Sequence, residues 1–245
     1  RMTLVTVSAL PLQRQEELVM QHFMALPSHL PAKPALSVPL HQPEHLGIQL
    51  NIQPHKPTHR LVLSFSLPDI QPWYQFKVIS FLAHILGDEG PGSLLGLLKQ
   101  QGLVNALNAG GGIDGSNYKD FTLAFELTAA GMDAVKTITE QSFGYLQLLK
   151  QQPFPETLFF ERQRLCQWSF LYQEPKPAQQ LASDLAVNLQ HYPVEDYIYG
   201  DYRMEMPPES LYRKILGYFN ANALRIMVIA PEAKVDREAR WYHTP

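Results

Sequence analysis

Cysteine is nearly missing from this 245-residue chain. Cys166 stands alone, so no internal disulfide can form. A chain of this size does not need such staples, so the single thiol leaves the redox compartment open and reads as a packed helix residue. An excess of charge of one sign is also missing. Twenty Lys and Arg residues against 23 Asp and Glu leave a net charge of −3, with no basic patch to hold nucleic acid. No apolar run approaches the roughly 20 residues that a membrane span needs. Neither a repeat nor a low-complexity tract is visible. An initiator methionine and a signal-type leader are absent as well. The chain opens directly on Arg1–Val7, a β-branched apolar run that reads as a strand, and a chain that opens mid-strand is expected to be a piece of a longer one.

What is present is enough apolar material for a real core. The composition is 45% hydrophobic and 18% charged, which suits one large domain or one domain plus part of another. After the Arg1–Val7 run, Leu12, Val19, Phe23 and Leu26 recur at helical spacing, placing a helix over about Leu10–Leu26. Prolines at 27, 31, 34, 39 and 43 follow. They remove backbone donors and block helix, so Pro27–Pro43 is expected to be an extended linker with a domain boundary near residue 38.

Beyond the linker, Leu46–Ile52 and Arg60–Leu67 read as strands. In the second, Leu61, Leu63, Phe65 and Leu67 alternate with the residues between them. A helix to about Leu86, a glycine-rich stop and a short helix Leu94–Gln101 come next. Val104–Ala109 and Tyr118–Leu127 then read as an antiparallel pair around the turn chemistry of Gly110–Asn117. Thr128 is placed to cap a long helix to Gln151, and Pro155–Tyr172, Pro177–Leu189 and Pro208–Phe219 are further helices before a last strand, Ala223–Ile229. Strands cluster and helices run in blocks. The expected class is therefore α+β, with a mostly antiparallel sheet packed by helices on one side.

Three motifs carry possible chemistry. His41-Gln42-Pro43-Glu44-His45 spells H-x-x-E-H, an inverted zinc motif whose histidines must share one helical face while the glutamate activates water. Pro43 inside it would cost a helix about 3 kcal/mol, and Glu126, a possible third ligand, falls on an expected strand. The linker reading is preferred, and no metal ligands are assigned. The second motif, His84–Leu95, is a helix stop whose glycines permit unusual backbone angles. Its free NH and CO groups could meet an extended peptide, and His84 could pair with Asp88 if the helix ran on. The third, Gly110–Gly112, lacks the lysine of a phosphate loop and reads as a hairpin with an open strand edge. No Ser-His-Asp or Cys-His set can be assembled, and Ser93 lacks a nucleophile-elbow setting. His191-Tyr192-Pro193 reads as helix-end packing or capping. Trp168, Phe170 and Tyr172 read as core or interface aromatics.

Leu67-Pro68-Asp69, the run His84–Leu95 with its Asp-Glu-Gly-Pro-Gly-Ser-Leu-Leu centre, Leu98–Gly102, Ala109-Gly110-Gly111, His191-Tyr192-Pro193 and Ala239–Tyr242 together resemble the pitrilysin and insulin-degrading enzyme (M16, insulinase) family of zinc metalloendopeptidases. The resemblance covers nearly the whole chain. It implies a LuxS/MPP-like metallohydrolase domain and a parent protein that degrades small peptides in a closed chamber. It implies that residues 1–38 end the catalytic first domain and its linker, and that 39–245 form the silent second domain. Zinc is then a cofactor of the parent, with none expected in this piece, and the expected partners are peptide substrates and the parent's remaining domains. By the same resemblance a peptide's N-terminal end is anchored, strand-like, by His84, Gly87 and Glu89 from the helix stop and by Leu107, Ala109 and Gly111 from the hairpin edge. Alanine at 109 replaces the family's usual glycine, and glycine at 111 stands where a polar side chain is frequent. The resemblance to bacterial members implies a periplasmic location. The alternative is a non-enzymatic core subunit built from the same domain.

Overall fold

The computed structural model describes residues 2–27 and 36–241. The middle of the proline-rich linker, His29, His243 and the Tyr242 end of the Ala239–Tyr242 motif lie outside the described residues. Among the described residues the helices are α1 (Leu12–Phe23), α2 (Val78–Leu86), α3 (Leu94–Gln100), α4 (Ala129–Asp133), α5 (Val135–Gln151), α6 (Glu156–Leu171), α7 (Ala178–His191) and α8 (Glu209–Gly217). The strands are β1 (Ile48–Ile52), β2 (Arg60–Pro68), β3 (Val104–Asp114), β4 (Tyr118–Leu127) and β5 (Leu224–Ile229). They fall into two compact units, one of Leu36–Arg162 with Glu205–Pro245 and one of Arg1–Ala35 with Gln163–Met204.

The larger unit holds the sheet, in the order β1-β5-β2-β4-β3. The β1–β5 pairing is parallel and the others are antiparallel, so the α+β class with a mostly antiparallel sheet holds. The central strand β2 shows why the sheet forms. Its odd residues Leu61, Leu63 and Phe65 are fully buried and Leu67 nearly so, and Phe121, Leu123 and Phe125 of β4 share that face by strand alternation. Helices cover this face: Phe65 meets Phe143 of α5 edge-on at 5.9 Å and Phe219 at 5.1 Å, and Phe219 meets Phe121 at 5.0 Å. Each such aromatic contributes on the order of 2 kcal/mol through burial, plus the edge-to-face term.

Local chemistry sets the element ends. Ser93 caps α3 by accepting from Gly96 N at 3.0 Å, and Thr128 caps α4 by accepting from Gly131 N at 3.0 Å. The helix expected over Ala129–Gln151 is broken at Ala134, whose backbone leaves helical angles. The helix expected to start near Trp73 is a 3-10 turn, Gln71–Phe76, parted from α2 by Lys77 at φ 47°. The hairpin is longer than the sequence suggests. Gly110–Asp114 stays in β3 with a register shift after Gly111, because glycine tolerates the twist of a bulge, and the turn is confined to the residues just before Tyr118.

The smaller unit contains α1, α7 and residues to Met204. Phe170 packs edge-on against Tyr199 at 4.9 Å. Tyr192 donates to Asp201 Oδ1 at 2.9 Å, and Asn188 donates to the Tyr197 carbonyl at 2.9 Å. Cys166 approaches Met204 Sδ at 3.8 Å. The strand expected over Arg1–Val7 does not form: residues 2–7 carry no strand pairing, and an extended segment is a strand only when a neighbour takes its NH and CO groups. Trp168 and Tyr172 are exposed rather than core.

Tyr212 of α8 is fully buried against Phe154, with ring centres 4.9 Å apart, and its hydroxyl has no hydrogen-bond partner among the described residues. Burial pushes its pKa up to about 12 from 10.0. The unfolded chain therefore releases this proton before the folded chain does, and stability declines as pH rises from about 10 towards 12. Tyr212→Phe is expected to make that decline shallower and to leave the pH 7 melting midpoint unchanged or higher. Thermal melts across pH 7–12 check both, and a large loss at pH 7 would contradict the orphan hydroxyl.

Candidate functional site

The H-x-x-E-H lookalike is not helical. Pro43–His45 is a single 3-10 turn, and His45 Nδ1 accepts from Gln42 N at 3.2 Å. His41 turns the other way and donates from Nε2 to Asp120 Oδ1 at 3.1 Å. The Asp120 carboxylate, nearly inaccessible to solvent, also takes Arg225 Nη2 at 2.6 Å, and that guanidinium reaches Ser64 Oγ at 3.1 Å. This network lies on the sheet face away from Phe65. Asn117 adds donations to the Leu36 and Val38 carbonyls at 3.2 and 2.9 Å. The segment Leu36–His45 is thus fastened across the sheet by charge-assisted bonds. Among the described residues no three His, Cys, Asp or Glu side chains are placed to share a metal ion. The donor geometry among the described residues does not fit zinc.

The helix stop is a built loop. Gly87 caps α2, with its NH on the Ala83 carbonyl at 2.9 Å. A side chain there would stand 2.9 Å from that oxygen and 3.4 Å from the Ala109 Cβ, so glycine lets the loop seat against β3. Asp88 Oδ1 accepts from Gly90 N at 3.0 Å, and Gly92 adopts φ +85°, which favours glycine. The condition for a His84–Asp88 pair is not met, because the helix ends at Leu86 and Asp88 turns to the loop. Glu89 is mostly exposed and lies 3.6 Å from Lys99 Nζ. His84 is exposed on the last turn of α2. Tyr145 of α5 has its pKa raised by burial and, secondarily, by the Asp88 charge, which places that carboxylate within electrostatic reach of the ring.

Strand β3 forms one edge of the sheet. Opposite β4 it pairs Leu107 with Phe125, Ala109 with Leu123 and Gly111 with Phe121. Its outer side faces no strand among the described residues. Leu107 is buried, Ala109 half-buried and Gly111 exposed. The fold therefore brings Gly87 onto Ala109 and lines up Leu107, Ala109 and Gly111 on one open edge, with His84 and Glu89 exposed at the adjoining stop. Chemically this is a row of main-chain donors and acceptors beside a carboxylate, able to take an extended chain. Two features escaped the sequence reading: the Asp120 network, signalled only by an acid beside the apolar alternation of β4, and Lys119, which lies over Gly111.

Residues 1–165 match the family model of the peptidase M16 inactive domain. The chain belongs to peptidase family M16. Residues 170–245 match the model of the middle or third domain of the same family, so most of this M16 chain matches the inactive domain type. It is 34% identical over 193 residues to an Arabidopsis thaliana protein called nardilysin-like, covering 76% of this chain and 19% of that one. It is 31% identical over 205 residues to the human insulin-degrading enzyme, covering 83% and 20%. The crystal structure of pitrilysin superposes with a TM-score of 0.90 at 22% identity, over 97% of this chain and 26% of that one, which shows the shared fold. The M16 chain thus spans about a fifth of the length of the curated relatives it matches.

Asp120→Ala is expected to destabilise the larger unit by roughly 3 kcal/mol, because it strands the Arg225 charge in a partly buried site. Urea unfolding checks this. His41→Ala leaves the Arg225–Asp120 pair intact, so it should cost less and speed deuterium exchange in residues 36–47 while β2 and β4 stay protected.

Proposed function

We propose that this chain is the chamber-forming, peptide-anchoring part of an M16 metalloendopeptidase that degrades small peptides, and that it performs no cleavage itself. One observation carries the reading: β3 is an open sheet edge with the Gly87-capped loop seated on it, leaving the Glu89 carboxylate exposed beside that edge. An extended peptide adds to Leu107–Gly111 through main-chain hydrogen bonds, and its free amino group is met by Glu89. His84 and Gly87 shape the end of the groove. These contacts tolerate alanine at 109 and glycine at 111, because strand addition uses the backbone.

The same proposal assigns residues 1–38 to the end of a catalytic domain with its linker and 39–245 to the silent domain. A compact unit begins at Leu36, close to that boundary, and Gln163–Met204 groups with the first residues instead of with it. Zinc belongs to the parent protein, whose ligands lie on residues other than those described here. The remaining domains of the parent are partners. Trp168, Leu171 and Tyr172 in α6 and after it are exposed apolar side chains of the kind that interfaces cover. The compartment we propose is the periplasm, on the resemblance to bacterial members of the family.

The test is binding of a fluorescent peptide with a free amino end. Acetylating that end and changing Glu89→Gln should each weaken binding about fivefold, the scale of an exposed ion pair, and the two together should weaken it no further. N-methylation of alternate peptide amides should abolish binding, since it removes the ladder hydrogen bonds. Elemental analysis of the same sample should find no stoichiometric zinc, and no peptide should be cut. One zinc per chain with cleavage would sink the proposal.

A further inference from the structure

Glycine at 111 leaves room beside β3, and another residue of the same hairpin fills it. A side chain at 111 would stand 3.0 Å from the Lys119 ammonium and 3.3 Å from its Cε. Lys119 therefore reaches from β4 over the β3 backbone at the very residue where the open edge becomes exposed. Its side chain is only 13% exposed. Its ion partner, Asp114 Oδ2 at 2.9 Å, belongs to a residue that is 61% exposed, at the far end of β3. The β3–β4 register shifts between Gly111 and Asp114, and Asp114 rejoins the ladder directly opposite Lys119. A mostly buried lysine side chain thus lies against β3, and its ion partner is a carboxylate on an exposed residue.

From these contacts we infer that Lys119 is a specificity-determining residue, one that selects peptides carrying an acidic side chain where the added strand passes Gly111. The inference rests on the strand-addition reading given above. Leu107 to Gly111 spans about 13 Å of strand, so a ligand strand of about five residues passes both the helix-stop loop and Lys119. Its amino end meets the Glu89 carboxylate, and a side chain further along meets a cation. An acidic side chain there takes the place of Asp114 on the ammonium; a basic one is repelled.

A peptide series in which Asp, Asn or Lys occupies each of the first six positions in turn tests this on the chain as it stands. At one position the Asp peptide should bind about fivefold more tightly than the Asn peptide, and the Lys peptide more weakly still. The preference should shrink at 1 M salt. Lys119→Met, which keeps the aliphatic stem over Gly111, should erase it; Lys119→Arg should keep it; Asp114→Asn should enlarge it by removing the internal competitor. Melting curves verify that each variant is folded. If Lys119 only staples the hairpin, Lys119→Met lowers the melting midpoint while the charge profile stays as in the parent, and the inference is overturned. A flat charge profile with binding still abolished by N-methylation also overturns it, and leaves strand addition standing. Binding that ignores N-methylation, or no binding at all, overturns strand addition itself and this inference with it.

Discussion

The rest of the larger unit depends on one dry face of β2. Leu61, Leu63, Phe65 and Leu67 are shielded from water by Phe143, Phe219 and the helices that carry or flank them. Since side chains alternate along a strand, a slip of one residue would turn all four to the other face. That penalty holds β2 in register with β4 and β5 together, and through them it sets where the outer strands β1 and β3 lie. The open edge of β3 is therefore a consequence of core packing two strands away.

The opposite face is held by charge. Asp120 shares a strand with Phe121 but points the other way, and there it gathers Arg225 from β5 and His41 from the lead-in segment. A buried carboxylate is tolerated only when its lone pairs are taken, and here two cationic or potentially cationic groups take them. The same interaction draws apart the residues that spell H-x-x-E-H. Pro43 denies them a helix, and the first histidine is committed to Asp120.

The anchoring edge follows from both constraints. Gly87 joins the end of α2 to β3 beside Ala109, and a side chain at 87 would crowd the Ala83 carbonyl of the helix it caps. Glu89 and Lys119 then stand as opposite charges along one row of main-chain groups, and the M16 relatives give that row its context in a protein about five times as long.

Much of this could be read from the residues. Alternation in Arg60–Leu67 and Tyr118–Leu127 marked β2 and β4 to within a residue, and Thr128 was a recognisable cap, because these signals are local. The Asp-Glu-Gly-Pro-Gly run marked a helix stop for the same reason. Other features were beyond local reading. Residues 2–7 have the composition of a strand, yet pairing is a property of two segments, and among the described residues no partner strand lies beside them. The glycine run after Ala109 reads as a loop until the β4 register carries the ladder on to Asp114. The sequence alone determined the element pattern, the α+β class and the failure of His41–His45 as a helical metal site, since periodicity and proline geometry are carried by neighbouring residues. Only the tertiary structure decided that Asp120 binds His41 and Arg225, that Gly87 rests on Ala109, and that Lys119 fills the space beside Gly111, because each joins residues whose distance along the chain says nothing of their distance in space.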